Sequence, residues 1–157
     1  MNQNEKKCWD TIATISDPEI PVLSIVDLGI VRYINCTSEK EVEIGISSTY
    51  SGCPAMDMIA AEIKMKIESI GFTGIAIKNI LTPAWTTDWM TQEGKDKLRI
   101  YGIAPPDKRF AIPVDGVKCP HCKSENTKLI SEFGSTACKA LFQCNDCKEP
   151  FDYFKCH

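Results

Sequence analysis

Two Cys-x2-Cys units, Cys119-Pro120-His121-Cys122 and Cys144-Asn145-Asp146-Cys147, stand 21 residues apart near the end of the chain. Two residues between thiolates let both sulfurs of one tight turn point at a single ion. Two such turns complete a tetrahedral S4 set, the pattern of a structural zinc site. The interval is one residue longer than the usual ribbon range, and a hairpin between the knuckles accounts for it. Tetrahedral thiolate accepts iron as well as zinc, so the spacing names the ligands and leaves the metal open between the two. Lys123 and Lys148 stand where many knuckles carry glycine, which is expected to loosen the turns while removing no ligand.

Cys53 offers different chemistry. It directly precedes Pro54, a residue suited to the first position of a helix. The cysteine is then expected to occupy the helix cap, where free N–H groups and the helix dipole favour a thiolate. Thr49, Tyr50, Ser51 and Gly52 form a polar approach to it. That setting suits metal, cluster or thiol-exchange chemistry, and it equally suits a neutral cysteine acting as a modest cap. Asp17, Glu19 and Asp27 put three carboxylates in an irregular stretch. They are candidate oxygen ligands or bases, or simply caps of turns. Cys138 and Cys156 are left over near the knuckles as spare ligands, a second thiol pair or small buried hydrophobes. His121 reads as a surface residue.

Some chemistries are excluded. The chain has no Ser-His-Asp set, no phosphate-binding glycine loop, and its two histidines both lie beyond residue 119. The first part therefore lacks a general base of the usual kind, and the chain is expected not to be an enzyme. Nine cysteines in 157 residues, an odd count with no secretory leader evident, point to metal ligands or reactive thiols in a reducing compartment. The cytoplasm is the expected location, and no apolar run is long enough to span a bilayer. Residues 1–103 carry ten Lys/Arg against fourteen Asp/Glu, and residues 104–157 carry eight against seven. Neither part is basic enough to capture nucleic acid electrostatically, which disfavours a DNA- or RNA-binding zinc module.

These groups need a scaffold. Trp9, Ile12, Ala13 and Ser16 share a helical face, and Asp17-Pro18 is expected to end that helix. Residues 30–36 and the alternating Val42, Ile44 and Ile46 predict two strands joined by a hairpin over residues 37–40. Met56, Ile59, Ala60, Ile63, Ile67 and Ile70 mark the buried face of a second helix, with Gly71 as its left-handed terminator. A third strand over residues 75–81 follows, then a helix capped by Thr86 and running to Tyr101. Trp85 and Trp89 read as core or interface aromatics.

The predicted class is α+β: a two-layer domain of order α-β-β-α-β-α over residues 1–103, then a zinc-ribbon-like β module over residues 119–157. Prolines 105, 106 and 113 make residues 104–118 a linker. In the ribbon, residues 127–133, 138–143 and 151–154 look extended.

The stretches DPEIPVLSIVDLGIV and TYSGCP resemble the iron–sulfur assembly domain of cluster-maturation factors. LTPAWTTDWMTQEGKDKLRIYGIAPP and GSTACKALFQCNDCKEPFDYFKCH resemble the PaaD branch, accessory proteins of phenylacetate degradation counted with the phenylacetyl-CoA epoxidase. The resemblance runs from about residue 8 to the end. It implies a factor for metal centres, iron–sulfur or di-iron, of the oxygenase and reductase components, with a transient iron or iron–sulfur cluster as cargo. Cys53 matches the family's motif cysteine, and Asp17, Glu19 and Asp27 its acidic motif. A non-catalytic structural subunit of the oxygenase is the alternative, and a homodimer is compatible with either role.

Overall fold

The computed structural model describes residues 1–49, 53–106, 113, 115–136 and 138–155. Cys156, and Tyr50 to Gly52 of the approach to Cys53, lie outside the described residues, as does much of the expected linker. The chain divides into two compact units, Met1–Trp85 with Trp89–Thr91, and Thr86–Asp88 with Gln92–His157. The architecture is α+β, as the patterning predicts.

The first unit begins with α1, Gln3–Ile12, started by a reciprocal cap: Asn2 Oδ1 accepts from Glu5 N at 2.7 Å, and Asn2 N donates to Glu5 Oε2 at 2.9 Å. This helix is shorter than expected. Past Ile12 the backbone turns to strand-like pairing, with Asp17 N donating to Leu23 O at 2.8 Å and Ile25 N to Ile15 O at 3.0 Å. Those bonds take up the groups a longer helix would need.

Strands β1 (Val31–Cys36) and β2 (Glu41–Ile46) form the predicted antiparallel hairpin. Helix α2 (Ala55–Ser69) then crosses to β3 (Gly74–Asn79), which runs parallel to β2, so the sheet order is β1-β2-β3. Alternation sends Val42, Ile44 and Ile46 to the buried face, where α1 packs on β1 and α2 on β3. Ala55, Ile59, Ile63 and Ile67 make the inward stripe of α2. Each such isoleucine contributes about 2 kcal/mol by leaving water. Gly71 follows the helix at φ +107°, the terminator role expected of it.

The helix expected from Thr86 is broken. Thr86 Oγ1 accepts from Asp88 N at 3.0 Å, but this begins only a 3₁₀ turn over Thr87–Trp89. Helix α3 starts afresh at Gln92–Tyr101. The interruption arises because Thr91 N is committed to Asp27 O at 2.9 Å.

The second unit contains α3, β4 (Ile103–Ala104), β5 (Thr127–Ser131), β6 (Lys139–Cys144) and β7 (Pro150–Phe154). Its sheet order is β4-β7-β6-β5, with β4 parallel to β7 and Ala104 opposite Tyr153. The contact boundary thus falls before α3, not after residue 103, and Ala104 is strand rather than linker. Ile103 and Ala104 are buried, which explains why the ribbon retains them. A two-residue strand has no periodicity to announce it.

Candidate metal centre and motif thiol

The knuckles are carried by the ends of the ribbon strands. Cys144 closes β6 and Cys147 sits in the turn to β7, while Cys119 and Cys122 precede β5. A Zn–S bond of about 2.3 Å places tetrahedral sulfurs about 3.8 Å apart. Cys119 and Cys147 sulfurs are 3.8 Å apart and those of Cys122 and Cys144 3.5 Å. All four ligand atoms lie within 4.8 Å of one another. The geometry fits one tetrahedral ion. Among the described residues this is the only convergence of three or more Cys, His, Asp or Glu ligand atoms.

The turns are not loosened. Lys123 and Lys148 adopt φ +65° and +67°, the left-handed conformation glycine would supply, at a cost of about 1 kcal/mol each. Backbone bonds close each turn: Lys123 N to Cys119 O at 2.9 Å, Cys119 N to Ser124 O at 2.8 Å, and Cys144 N to Glu149 O at 3.0 Å. The N–H groups of Cys147 and Asp146 hold the Cys144 thiol down at about 7, toward the thiolate a metal requires. At Cys147 the Glu149 N–H is outweighed by burial and the neighbouring thiols, which push it up to about 12, and Cys122 is raised as well. The charge of a bound metal would have to ionise those two.

A polar clasp joins the knuckles. The Asp146 carboxylate accepts from Ser124 Oγ, and from Asn126 Nδ2 at 3.1 Å, while Asn145 Nδ2 donates to Asn126 Oδ1 at 3.0 Å. Below it lies the ribbon core of Ala104, Ala140, Phe142, Phe151 and Tyr153, continuous with Cys119 and Cys144. Phe142 stacks on Phe151 with centroids 5.9 Å apart and meets Tyr153 edge-on at 5.6 Å. Cys138 is not part of the centre. It is buried, with its sulfur 2.9 Å from Thr136 Oγ1. His121 is exposed, as expected.

Cys53 lies one residue earlier than expected. The helix cap is Pro54, and no side chain caps α2; Cys53 contributes its carbonyl to Met56 N at 3.3 Å. The Cys53 side chain therefore does not cap α2. Accessibility remains, for Cys53 is half-buried, whereas Cys8 is fully buried under the sheet. Burial, with Cys36 beside it, pushes the Cys8 thiol up to about 12, and burial also raises Cys36. In metal-loaded protein at neutral pH, Cys53 is expected to alkylate first and Cys8 slowest. Cys8 should lag well behind, because it is buried and held as the thiol while the thiolate is the nucleophile. Mass-mapped labelling checks the order, and Cys53 emerging slowest would end its candidacy.

The acidic residues hold the loop before β1. Asp17 Oδ2 accepts from Glu19 N at 2.9 Å and Ile20 N at 2.8 Å. Asp27 Oδ2 accepts from Ser24 N, and Ser24 Oγ from Asp27 N, both at 3.0 Å. Asp27 Oδ1 also takes the Thr91 hydroxyl at 3.3 Å. Asp17 and Asp27 thus cap turns of this loop, while Glu19 enters these bonds through its backbone N–H.

Sequence reasoning passed over the clamp on this loop. Trp85 is buried and its Nε1 donates to Leu28 O at 2.8 Å. Trp89 passes against Gly29, and the Arg32 guanidinium sits 3.5 Å from its ring centroid. Gly29 within Asp27-Leu28-Gly29 was the available signal, because glycine marks close backbone approach.

Residues 5–74 match the family model of iron–sulfur cluster assembly proteins, and residues 105–155 that of the PaaD zinc beta ribbon domain. A relative from Escherichia coli K12, whose name assigns it provisionally to 1,2-phenylacetyl-CoA epoxidase as one of its subunits, is 51% identical over 94% of this chain and 90% of its own length. An Fe-S protein maturation auxiliary factor of Porphyromonas gingivalis W83 is 34% identical over 58% of this chain and 87% of its own. A solved domain of unknown function from Bacillus anthracis superposes with a TM-score of 0.58 at 24% identity, over 62% of this chain and 92% of its own, and supports the fold alone. Fold and site together define the class: an iron–sulfur-assembly-type domain followed by a four-cysteine ribbon. Within that class the chain belongs to the PaaD family.

Proposed function

We propose that this chain is a non-catalytic accessory factor that matures metal centres, iron–sulfur or di-iron, of a multicomponent phenylacetyl-CoA epoxidase. The observation that carries the reading is the contrast between its two kinds of cysteine. Four thiols converge into a closed site suited to a resident structural ion, which we assign as zinc. Cys53 stands half-exposed at the head of α2, outside any convergent set among the described residues. One accessible thiol gives a single contact to an iron or cluster cargo, enough for handover and too little for permanent retention. Relatives named as Fe-S maturation auxiliary factors support the same role for the first unit. Among the described residues no helix is long and apolar enough to cross a membrane, compatible with the cytoplasmic setting we assign.

A structural-subunit role is the second reading, favoured by the name of the Escherichia coli relative. Producing the epoxidase in cells with the Cys53→Ser variant separates the two. Maturation predicts a purified enzyme with several-fold less bound iron and activity, not restored by adding wild-type protein to the assay. A subunit role predicts full iron, and activity that follows the presence of the protein in the assay. If an epoxidase made without this chain has full iron content and full activity, the maturation reading fails.

A further inference from the structure

We propose that the outer edge of β3 is a homodimer interface, pairing antiparallel with β3 of a second copy about a twofold axis through Ala76. Among the described residues no strand pairs with this edge, since the sheet ends β1-β2-β3. Every other residue of β3 therefore turns its N–H and C=O away from β2. The strand has no proline and no bulge against β2, and its one edge charge, Lys78, is a device that this pairing matches rather than buries. Its pattern is also unfinished. Ile75 and Ile77 lie on the helix-covered face, opposite Val42 and Ile44, yet remain half-buried where those partners are fully buried.

The sequence of β3 is complementary to itself in one register. With Ala76 opposite Ala76 of the second copy, Ile75 of each strand faces Ile77 of the other. Two β-branched cross-strand pairs then cover the half-exposed isoleucines. The other face supplies the charges. Lys78 of one copy falls opposite Gly74 of the other, so the two lysines never meet. Gly74 is the residue over which Glu41 lies: a Cβ built on Gly74 would come 2.8 Å from Glu41 Cγ and 3.6 Å from Glu41 Oε1. The partner's Lys78 ammonium is thereby delivered to Glu41, and symmetry makes the pair twice. A side chain at position 74 would displace Glu41, so glycine there serves the same contact. A registry centred elsewhere loses this match; centred on Ile77 it sets Lys78 against Ala76. The partner is accordingly a second copy of this chain.

The test is sedimentation equilibrium of the full, metal-loaded chain over a low to high micromolar series. Wild type is expected to dimerise. Lys78→Glu converts both pairs to repulsion and should raise the dimer dissociation constant by about tenfold or more, as should Glu41→Lys. The double variant reverses both charges and should return to within about threefold of wild type. Far-UV circular dichroism of each variant establishes that the surface changes leave the fold intact. A wild type that stays monomeric throughout, as it would if the edge served a different protein's strand, overturns the proposal. So does a dimer indifferent to either single change, or a double variant that remains dissociated.

Discussion

Stripping the ribbon metal from the full chain is expected to abolish amide protection across β4–β7 while leaving β1–β3, α1 and α2 protected. A structural Zn²⁺ in a small module contributes roughly 10–16 kcal/mol of apparent binding free energy at neutral pH. Among the described residues the cluster beneath the knuckles holds seven buried residues, two of them the ligands Cys119 and Cys144, with Ile103, Cys138 and Phe154 buried beside it. Without the ion, the left-handed Lys123 and Lys148 have nothing to offset their strain, and adjacent thiols lose the charge that unites them. A core of this size does not hold a sheet by itself. The register between β4 and β7 sets the reach of the collapse: Ile103 and Ala104 pair with Asp152 and Tyr153, so their protection should vanish with the ribbon. The first unit buries Ile12, Ile44, Ile59, Ile63 and Ile67 without help from the metal. Cys144→Ser should mimic the chelator even in excess zinc. Hydrogen exchange read by mass spectrometry distinguishes the outcomes. Loss of protection in β1–β3 alongside the ribbon, or no loss anywhere, would refute two separately stabilised units.

The parts legible in the sequence are those written in period or spacing. Val42, Ile44 and Ile46 announce β2 by alternation, and the stripe ending at Ile67 announces α2 by its helical repeat. The S4 site is legible because Cys-x2-Cys is a local geometry needing no tertiary knowledge. The failures share a cause. Helix α1 stops at Ile12 because Ile15 and Asp17 bond to Ile25 and Leu23, partners in a later stretch that no pattern marks. The helix expected from Thr86 breaks because Thr91 N is held by Asp27 O, which lies far back in the chain and is invisible locally. Likewise β4 exists only through its parallel partner β7. Cys53 falls one position off the expected cap, since Pro54 at a first helical turn and Pro54 at a cap read alike. The carboxylates are legible as residues, but their hydrogen bonds to Ile20, Ser24 and Thr91 follow from the loop's closure.

Replacing Gly29 with alanine is expected to lower the melting temperature of the first unit by about 15 °C, far more than Gly71→Ala. Both glycines have positive φ, +71° at Gly29 and +107° at Gly71, so both substitutions carry backbone strain of about 1 kcal/mol. Their surroundings differ. A Cβ at Gly71 meets nothing within 4 Å, whereas one at Gly29 would lie 2.4 Å from Trp89 O and 2.8 Å from Trp89 C. Those are backbone atoms, so no rotamer change relieves the clash, and the backbone around Trp89 must lift. Lifting it breaks the Trp85 Nε1 bond to Leu28 O, the Thr91 N bond to Asp27 O, and the Arg32 stack on Trp89. Two buried-loop hydrogen bonds and part of a buried indole bring the total to about 3 kcal/mol. Near-UV circular dichroism, to which Trp9 also contributes, follows Trp85 and Trp89 during melting, and the Gly71 variant subtracts the cost of strain alone. The same change should release the Asp27 loop from its clamp while leaving the ribbon's metal content unchanged, because the four-cysteine site is built entirely from the second unit. Equal melting of the two glycine variants would mean that the close approach of Trp89 to Gly29 does not bind the acidic motif to the tryptophan segment.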